Sequence, residues 1–261
     1  MDLQMQDKVI LVAGASKGLG YAIAEKVLQE GGKVSIAGSD AARIHEAGQQ
    51  LAELGECLPV HCDVRKPEMI KAWVEAALQH YGRIDGLVVN AGGPPPGKFD
   101  DFDDEAWLAA FNLALMSAVR MIRAVLPAMR AQGAGSILTL TSSSVKEPID
   151  FLLLSNVMRS GVTSLAKSLS KAEAACGIRV NNLVPGLIAT DRMKHLDKVQ
   201  ATANNRSVEE QHAASASLIP LGRYGEPAEF ANAAVFLLSD AASYITGATL
   251  VADGGTMRTV W

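Results

Sequence analysis

Short runs that are apolar at nearly every position alternate along this chain with longer stretches of helical period. The short runs fall at residues 8–13, 33–37, 56–62, 84–89, 136–140, 178–183 and 249–251. Continuous apolarity, rather than alternation, is expected of parallel strands covered on both faces. Helical spacing fills residues 18–30, 41–54, 67–80, 104–132, 155–175 and 227–239. Gly31 and Gly32 end the first of these stretches, and Pro67 and Pro227 suit first-turn positions. Pro127 is expected to bend the 104–132 helix near its end. Regular alternation of strand and helix predicts an α/β fold. It is a doubly wound parallel sheet of about seven strands, with helices on both faces and right-handed crossovers, and residues 1–261 form one domain. Ligands in such a sheet bind at the carboxyl ends of the strands, near the switch point. Residues 190–207 are polar without a strong period and read as a mobile lid or a surface excursion.

Composition then narrows the function. The net charge is −4, and no long basic or acidic run is present, so neither nucleic acid nor an anionic membrane is an expected partner. The first residues show no basic region followed by an apolar one, as a secretory signal would, and no uninterrupted apolar run approaches bilayer length. Cys57, Cys62 and Cys176 are scattered and odd in number. That argues for a reducing compartment, and a cytoplasmic location is expected. His45, His61, His80, His195 and His212 have no metal-site or triad spacing, and no metal is expected.

The first apolar run leads into Gly14-Ala15-Ser16-Lys17-Gly18-Leu19-Gly20, and a helical stretch follows at once. Gly14 allows a tight turn. Gly18 and Gly20 let backbone approach a pyrophosphate and pack helix on sheet, and the helix N-terminus offers N–H groups to phosphates. Further motifs follow the later strands: Asp63-Val64 after the third, Asn90-Ala91-Gly92 after the fourth, and Ser142 after the fifth. Asn112 lies in the long helix. Pro185-Gly186 and Thr190 follow the sixth strand, and Gly247 and Asp253-Gly254-Gly255 flank the last.

On these motifs the chain resembles the short-chain dehydrogenase/reductase family over nearly its whole length, most closely the ketoacyl-carrier-protein reductase branch. The resemblance implies a Rossmann-type fold. It implies cofactor contacts at Gly14, Ser16, Lys17, Gly18, Leu19, Gly20, Ser39, Asp63, Val64, Asn90, Ala91, Gly92, Arg159, Pro185, Gly186 and Thr190. Within the motifs, Val89 replaces an Asn of the family pattern. The family's catalytic Tyr and Lys align with Ser155, 13 positions after Ser142, and Arg159, 4 positions further. Ser142, Asn112, Ser155 and Arg159 are thus the catalytic candidates. The resemblance also implies a homodimer or homotetramer built on the helices at 104–132 and 155–175.

Cofactor choice follows from charge. NAD-specific sites place a carboxylate at the end of the second strand for the ribose 2′-OH. Here that position is Gly38, followed by Ser39, and Lys17 adds a cation, so NADP(H) is expected over NAD(H). Asp40 reads as the N-cap of the next helix.

The catalytic positions leave two main readings. A phenol can be drawn toward neutrality by a nearby cation, but the alkyl hydroxyl of Ser155 starts far higher, is shorter and is a poor general acid. Arg159 keeps the charge on the same helix face yet is not equivalent to Lys. One reading is an NADP(H)-linked oxidoreductase of a small carbonyl/alcohol pair, with proton delivery by Ser155 or by a water that Ser155 and Asn112 hold. The other is an NADP(H)-binding pseudoenzyme acting as a sensor or structural subunit. A third is reduction of an activated alkene or imine, which needs no tyrosine acid. Lys146, Glu147 and Asp150 are either relocated acids or solvated loop charges, and Pro94-Pro95-Pro96-Gly97 is expected to stiffen a pocket wall.

Overall fold

A computed structural model describes residues 2–259. Seven parallel strands form one sheet: β1 Val9–Ala13, β2 Lys33–Gly38, β3 Cys57–His61, β4 Gly86–Val89, β5 Gly135–Leu140, β6 Ile178–Pro185 and β7 Thr249–Ala252. Their order across the sheet is β3-β2-β1-β4-β5-β6-β7. The chain winds outward from β1 in one direction, then returns to β4 and winds outward in the other. The switch point therefore lies between the carboxyl ends of β1 and β4.

Both faces of the sheet are covered, which is why β1 is apolar at all of its positions. Ile10 and Val12 pack on Ile23 and Val27 of α1 (Gly18–Gln29) and on Phe230 and Ala234 of α9 (Pro227–Leu238). Val9, Leu11 and Ala13 face the other way. They meet Ile70 and Trp73 of α3 (Pro67–Tyr81) and Ile122 and Val125 of α5 (Ser117–Gln132). The remaining helices are α2 (Ala41–Ala52), α4 (Asp104–Ala110), α6 (Leu153–Ala172), α7 (Asp191–Ala203) and α8 (Val208–Ser217). Asp40 caps α2 as expected, accepting from the Arg43 N–H at 3.1 Å.

Three segments show how the sequence reading maps onto the structure. First, residues 104–132 are not one regular helix. A π-helical segment, Phe111–Met116, separates α4 from α5, and α5 then runs through Pro127 to Gln132. Second, Asp104–Gln132 is long and apolar enough, by length and composition, to cross a membrane. Its apolar face, with Ala118, Met121, Ile122, Val125 and Met129, is built into the core under the sheet. Third, the polar stretch at 190–207, read as a mobile lid or a surface excursion, is largely helical. It contains α7, capped by Thr190, and leads into α8, capped by Ser207 in a reciprocal capping box with Glu210.

Candidate functional site

The turn after β1 is shaped by contacts rather than by glycine content alone. Gly14 and Gly18 have φ of 60° and 63°, in the left-handed region that glycine adopts freely. The Asn90 side-chain amide donates to the Ala13 and Gly14 carbonyls at 3.1 and 3.2 Å and ties the end of β4 to this turn. Gly20 packs so closely that a Cβ there would meet the Gly14 carbonyl oxygen at 2.5 Å. A Cβ on Gly92 would meet nothing within 4 Å. The switch point thus offers a smooth backbone surface beside the N-terminus of α1, where the N-cap residue Lys17 makes no side-chain capping bond. That is a cradle that fits a dinucleotide phosphate.

A cavity of about 410 Å³ opens from this turn across the carboxyl ends of β4, β5 and β6. Gly14, Lys17, Gly18, Leu19, Asn90, Ala91 and Gly92 form one side of it. Ser142, Ser155 and Arg159 form its floor and far wall, while Pro185, Gly186 and Thr190 close it from β6. The structure brings these sequence candidates together in one space. Ser16, Gly20, Ser39, Asp63, Val64 and Asn112 stand outside the cavity wall. Gly20 acts through the packing of the turn. The Asp63 carboxylate accepts from Arg65 at 2.7–3.1 Å, and that pairing holds it below the usual carboxylate range.

The catalytic candidates separate in the same way. Ser142 sits in extended backbone, and its hydroxyl accepts from the Ser144 N–H at 3.2 Å. Ser155 is buried in the first turn of α6. One turn later, Arg159 donates to the Leu140 carbonyl at 2.9 Å and to the Ala91 carbonyl at 3.3 Å. Loss of solvent lowers its pKa, and the charge of Arg192 lowers it further, to about 10. It stays a cation at neutral pH. Asn112 lies in the π-helical segment, where its side-chain oxygen accepts from Arg120. Arg120 also donates to the Arg65 carbonyl at 2.9 Å. No tyrosine lines the cavity among the described residues. Of the loop charges, Glu147 accepts from the Arg258 and Thr259 N–H groups and so ties down the C-terminal segment. Lys146 and Asp150 do not reach the cavity wall.

Two features were not legible in the sequence. Lys17 is already paired: its ammonium lies 2.9 Å from the Asp191 carboxylate at the start of α7. This exposed pair bridges the glycine turn to the cover of the cavity, and the Lys17 hydrogen bond lowers the Asp191 pKa. Lys194 and Arg43 add smaller effects in the same direction. Arg192 is the second feature. It lines the cavity and donates to the Pro94 carbonyl at 3.0 Å, across 98 residues of sequence.

The chain is similar to known proteins over almost its entire length. The family model described as enoyl-(acyl carrier protein) reductase matches residues 14–257. The 3-oxoacyl-(acyl-carrier-protein) reductase FabG of Vibrio cholerae serotype O1 is 32% identical over 97% of this chain and 98% of its own. Among solved structures, L-sorbose reductase from Gluconobacter frateurii, complexed with NADPH and L-sorbose, superposes with a TM-score of 0.94 at 33% identity, over all of both chains. A single-residue variant of actinorhodin polyketide ketoreductase with NADPH gives 0.94 at 29% identity, over 98% of this chain and 99% of that one.

Proposed function

The chain belongs to the short-chain dehydrogenase/reductase family, as an oxidoreductase of its ketoacyl-reductase-like branch, and from that premise we propose an NADP(H)-linked reductase of a small carbonyl compound with a non-standard active site. The observation that carries this reading is convergence. The glycine turn held by Asn90 and the group Ser142, Ser155 and Arg159 open on one cavity. The NADPH-bound relatives support a nicotinamide cofactor. When bound, that cofactor supplies hydride for the carbonyl carbon.

The protein's own part is to hold the carbonyl oxygen and bring it a proton. Ser142 and Ser155 offer hydroxyl donors to that oxygen. Arg159 stands where the family pattern has Lys, and its positive charge favours negative charge developing on oxygen. Its guanidinium does not release a proton at neutral pH. The proton is therefore relayed from water through the serine hydroxyls. Asn112 is not part of the cavity wall, and its side-chain oxygen accepts from Arg120, so any part it takes is through a bridging water. Ser155 and Arg159 thus replace the Tyr and Lys of the family pattern. Replacing an efficient general acid by such a relay costs on the order of 10²–10⁴ in rate, so unactivated ketones turn over slowly.

NADP(H) preference rests on charge at the adenosine end. Gly38 and Ser39 supply no carboxylate, Asp40 caps α2 and pairs with the Arg43 guanidinium at 3.3 Å, and Lys17 is the cation of the glycine turn. The active form is a homodimer or homotetramer, with Leu108, Phe111 and Val157 left exposed on the helices that would pair. Light scattering measures that assembly directly.

The test is NADPH consumption against a panel of ketones, acyl thioesters, quinones and imines, together with cofactor affinity by calorimetry. Turnover of any class, lost in Ser142→Ala, supports the reductase. Tight NADPH binding with no turnover rejects it in favour of a cofactor-binding pseudoenzyme, the reading favoured by a cavity without a phenol.

A further inference from the structure

The cavity holds positive charge that the protein does not balance. Arg159 at its floor donates only to the Leu140 and Ala91 carbonyls among the described residues. Arg192 at its mouth donates likewise only to the Pro94 carbonyl. Neither guanidinium lies within 4.0 Å of a carboxylate among the described residues. Asp191, the acidic residue on the cavity wall, is occupied by Lys17. Both arginines hold the same segment, Arg159 at the Ala91 carbonyl and Arg192 at the Pro94 carbonyl, and both line the cavity. Arg192 also sits in the first turn of α7, where a cation opposes the helix dipole. Arg159 is half-buried and Arg192 is exposed, so an incoming anion can reach the Arg192 guanidinium directly.

The position of Arg192 indicates which anion. A dinucleotide's diphosphate already has a seat at the glycine turn. Arg192 is anchored instead on the segment that follows Asn90-Ala91-Gly92, where it packs over Gly93. That segment runs on to Gly97, whose N–H donates to the Phe151 carbonyl at 2.7 Å. Phe151 and Leu152 lead directly into the turn that carries Ser155. Arg192 therefore belongs to the substrate side of the cavity. Its remaining N–H donors and those of Arg159 form planar forks that match a carboxylate.

We propose that Arg159 and Arg192 receive a carboxylate of the substrate, so that the protein acts on small oxo acids in preference to neutral carbonyl compounds. This rests on the reductase reading above. In the reaction the C4–H bond of NADPH breaks and its hydride bonds to the carbonyl carbon, the carbonyl π pair moves to oxygen, and that oxygen takes up one proton from bulk solvent, so that oxo acid, NADPH and H⁺ become hydroxy acid and NADP⁺.

The test is calorimetry on the full chain saturated with NADP⁺. The probes are acetoacetate, 4-oxopentanoate and 4-oxocyclohexanecarboxylate, each paired with its methyl ester. At least one acid is expected to bind about ten-fold or more tighter than its ester, as charge-assisted hydrogen bonds allow. Arg192→Gln is expected to bring the two within about two-fold, and Arg192→Lys to keep an intermediate preference. NADPH binding to the free protein should stay within about two-fold in both variants, and a thermal melt checks that both fold. If no acid outbinds its ester, the proposal is overturned. If Arg192→Gln weakens NADPH as much as it weakens the acid, the anion is the cofactor diphosphate, and the proposal is again overturned. Turnover with the same pairs separates the two readings. Acid-selective binding without turnover keeps the carboxylate receptor and rejects the reductase, whereas equal kcat/KM for acid and ester keeps the reductase and rejects the receptor.

Discussion

Adding one methyl group at each of two glycines separates the cofactor surface from the packing that shapes it. At Gly20 a Cβ would lie 2.5 Å from the Gly14 carbonyl oxygen, 2.9 Å from its carbonyl carbon and 3.0 Å from the Ala15 Cα. All three are backbone atoms, so no side chain can swing aside and the turn itself must move. Overpacking of this kind costs roughly 1–3 kcal/mol. The gain from alanine over glycine inside α1 offsets about 1 kcal/mol of that. The net loss is about 1 kcal/mol, which lowers Tm by roughly 2–4 °C in a chain of this size. The displaced turn also loses its fit to a phosphate, so NADPH affinity falls. At Gly92 the new Cβ meets nothing within 4 Å. Gly92→Ala should therefore leave Tm within about 1 °C of the parent, as expected for a surface change of about 0.5 kcal/mol or less. If the nucleotide runs over that backbone, the methyl stands in its path and weakens NADPH by roughly 5–150-fold, the equivalent of about 1–3 kcal/mol of steric cost. Thermal melts and calorimetric titration of both variants make the comparison. Full NADPH affinity in Gly92→Ala would refute the placement of the cofactor over Asn90-Ala91-Gly92.

Three other outcomes follow from the same geometry. Lys17→Ala should weaken NADPH more than NADH, whereas Asp191→Asn releases Lys17 from its partner and should strengthen NADPH selectively; titration with both nucleotides checks the pair, and equal changes for the two would remove Lys17 from 2′-phosphate recognition. Ser155→Tyr with Arg159→Lys should raise ketone reduction above the parent and above either single change, because phenol and ammonium act as a unit; steady-state NADPH kinetics shows whether the double variant exceeds both. Glu173 is buried against Arg130, and their hydrogen bond holds its pKa below the ordinary value of about 4.3. A depressed carboxylate contributes stability that is present above the unfolded pKa and lost as pH falls through the folded one, so stability should drop on acidification below about pH 4.3. Glu173→Gln should flatten that acid limb in urea melts; an unchanged limb would show that the pair does not couple to folding.

What the sequence reveals depends on how far each feature reaches along the chain. β1 was readable because burial on both faces leaves every position apolar, and that pattern is local. The glycine turn was readable because its constraints lie within seven consecutive residues, and Asp40 because a cap acts three residues ahead. The π-helical segment left no trace, since the apolar period of 104–132 continues across it. Helices α7 and α8 escaped for a different reason. Among their few buried positions are Asp197 on α7 and Gln211 on α8, and buried polar residues erase the amphipathic pattern. The signal available there was the Ser207-x-x-Glu210 capping box, not hydrophobicity.

Those buried polar groups also show how the cover of the cavity is held. The Asp197 carboxylate accepts from the Tyr224 hydroxyl at 2.8 Å and faces the His212 ring nitrogen at 3.3 Å. Gln211 bonds Asn204, Gln200 and Ser215. The segment that reads in the sequence as a mobile lid or a surface excursion is held in this arrangement largely by directional bonds. Such bonds fix geometry more tightly than they add stability. Fixed geometry is what this site needs, because α7 carries both Asp191, which meets Lys17 on the cofactor side, and Arg192, which faces the cavity beside Pro94. The glycine turn could be read from seven residues. The arginine proposed to receive substrate is placed by a helix the apolar pattern does not mark and by a contact 98 residues away. In this chain the glycine turn is therefore written locally, whereas the position of Arg192 emerges only once the cover is in place.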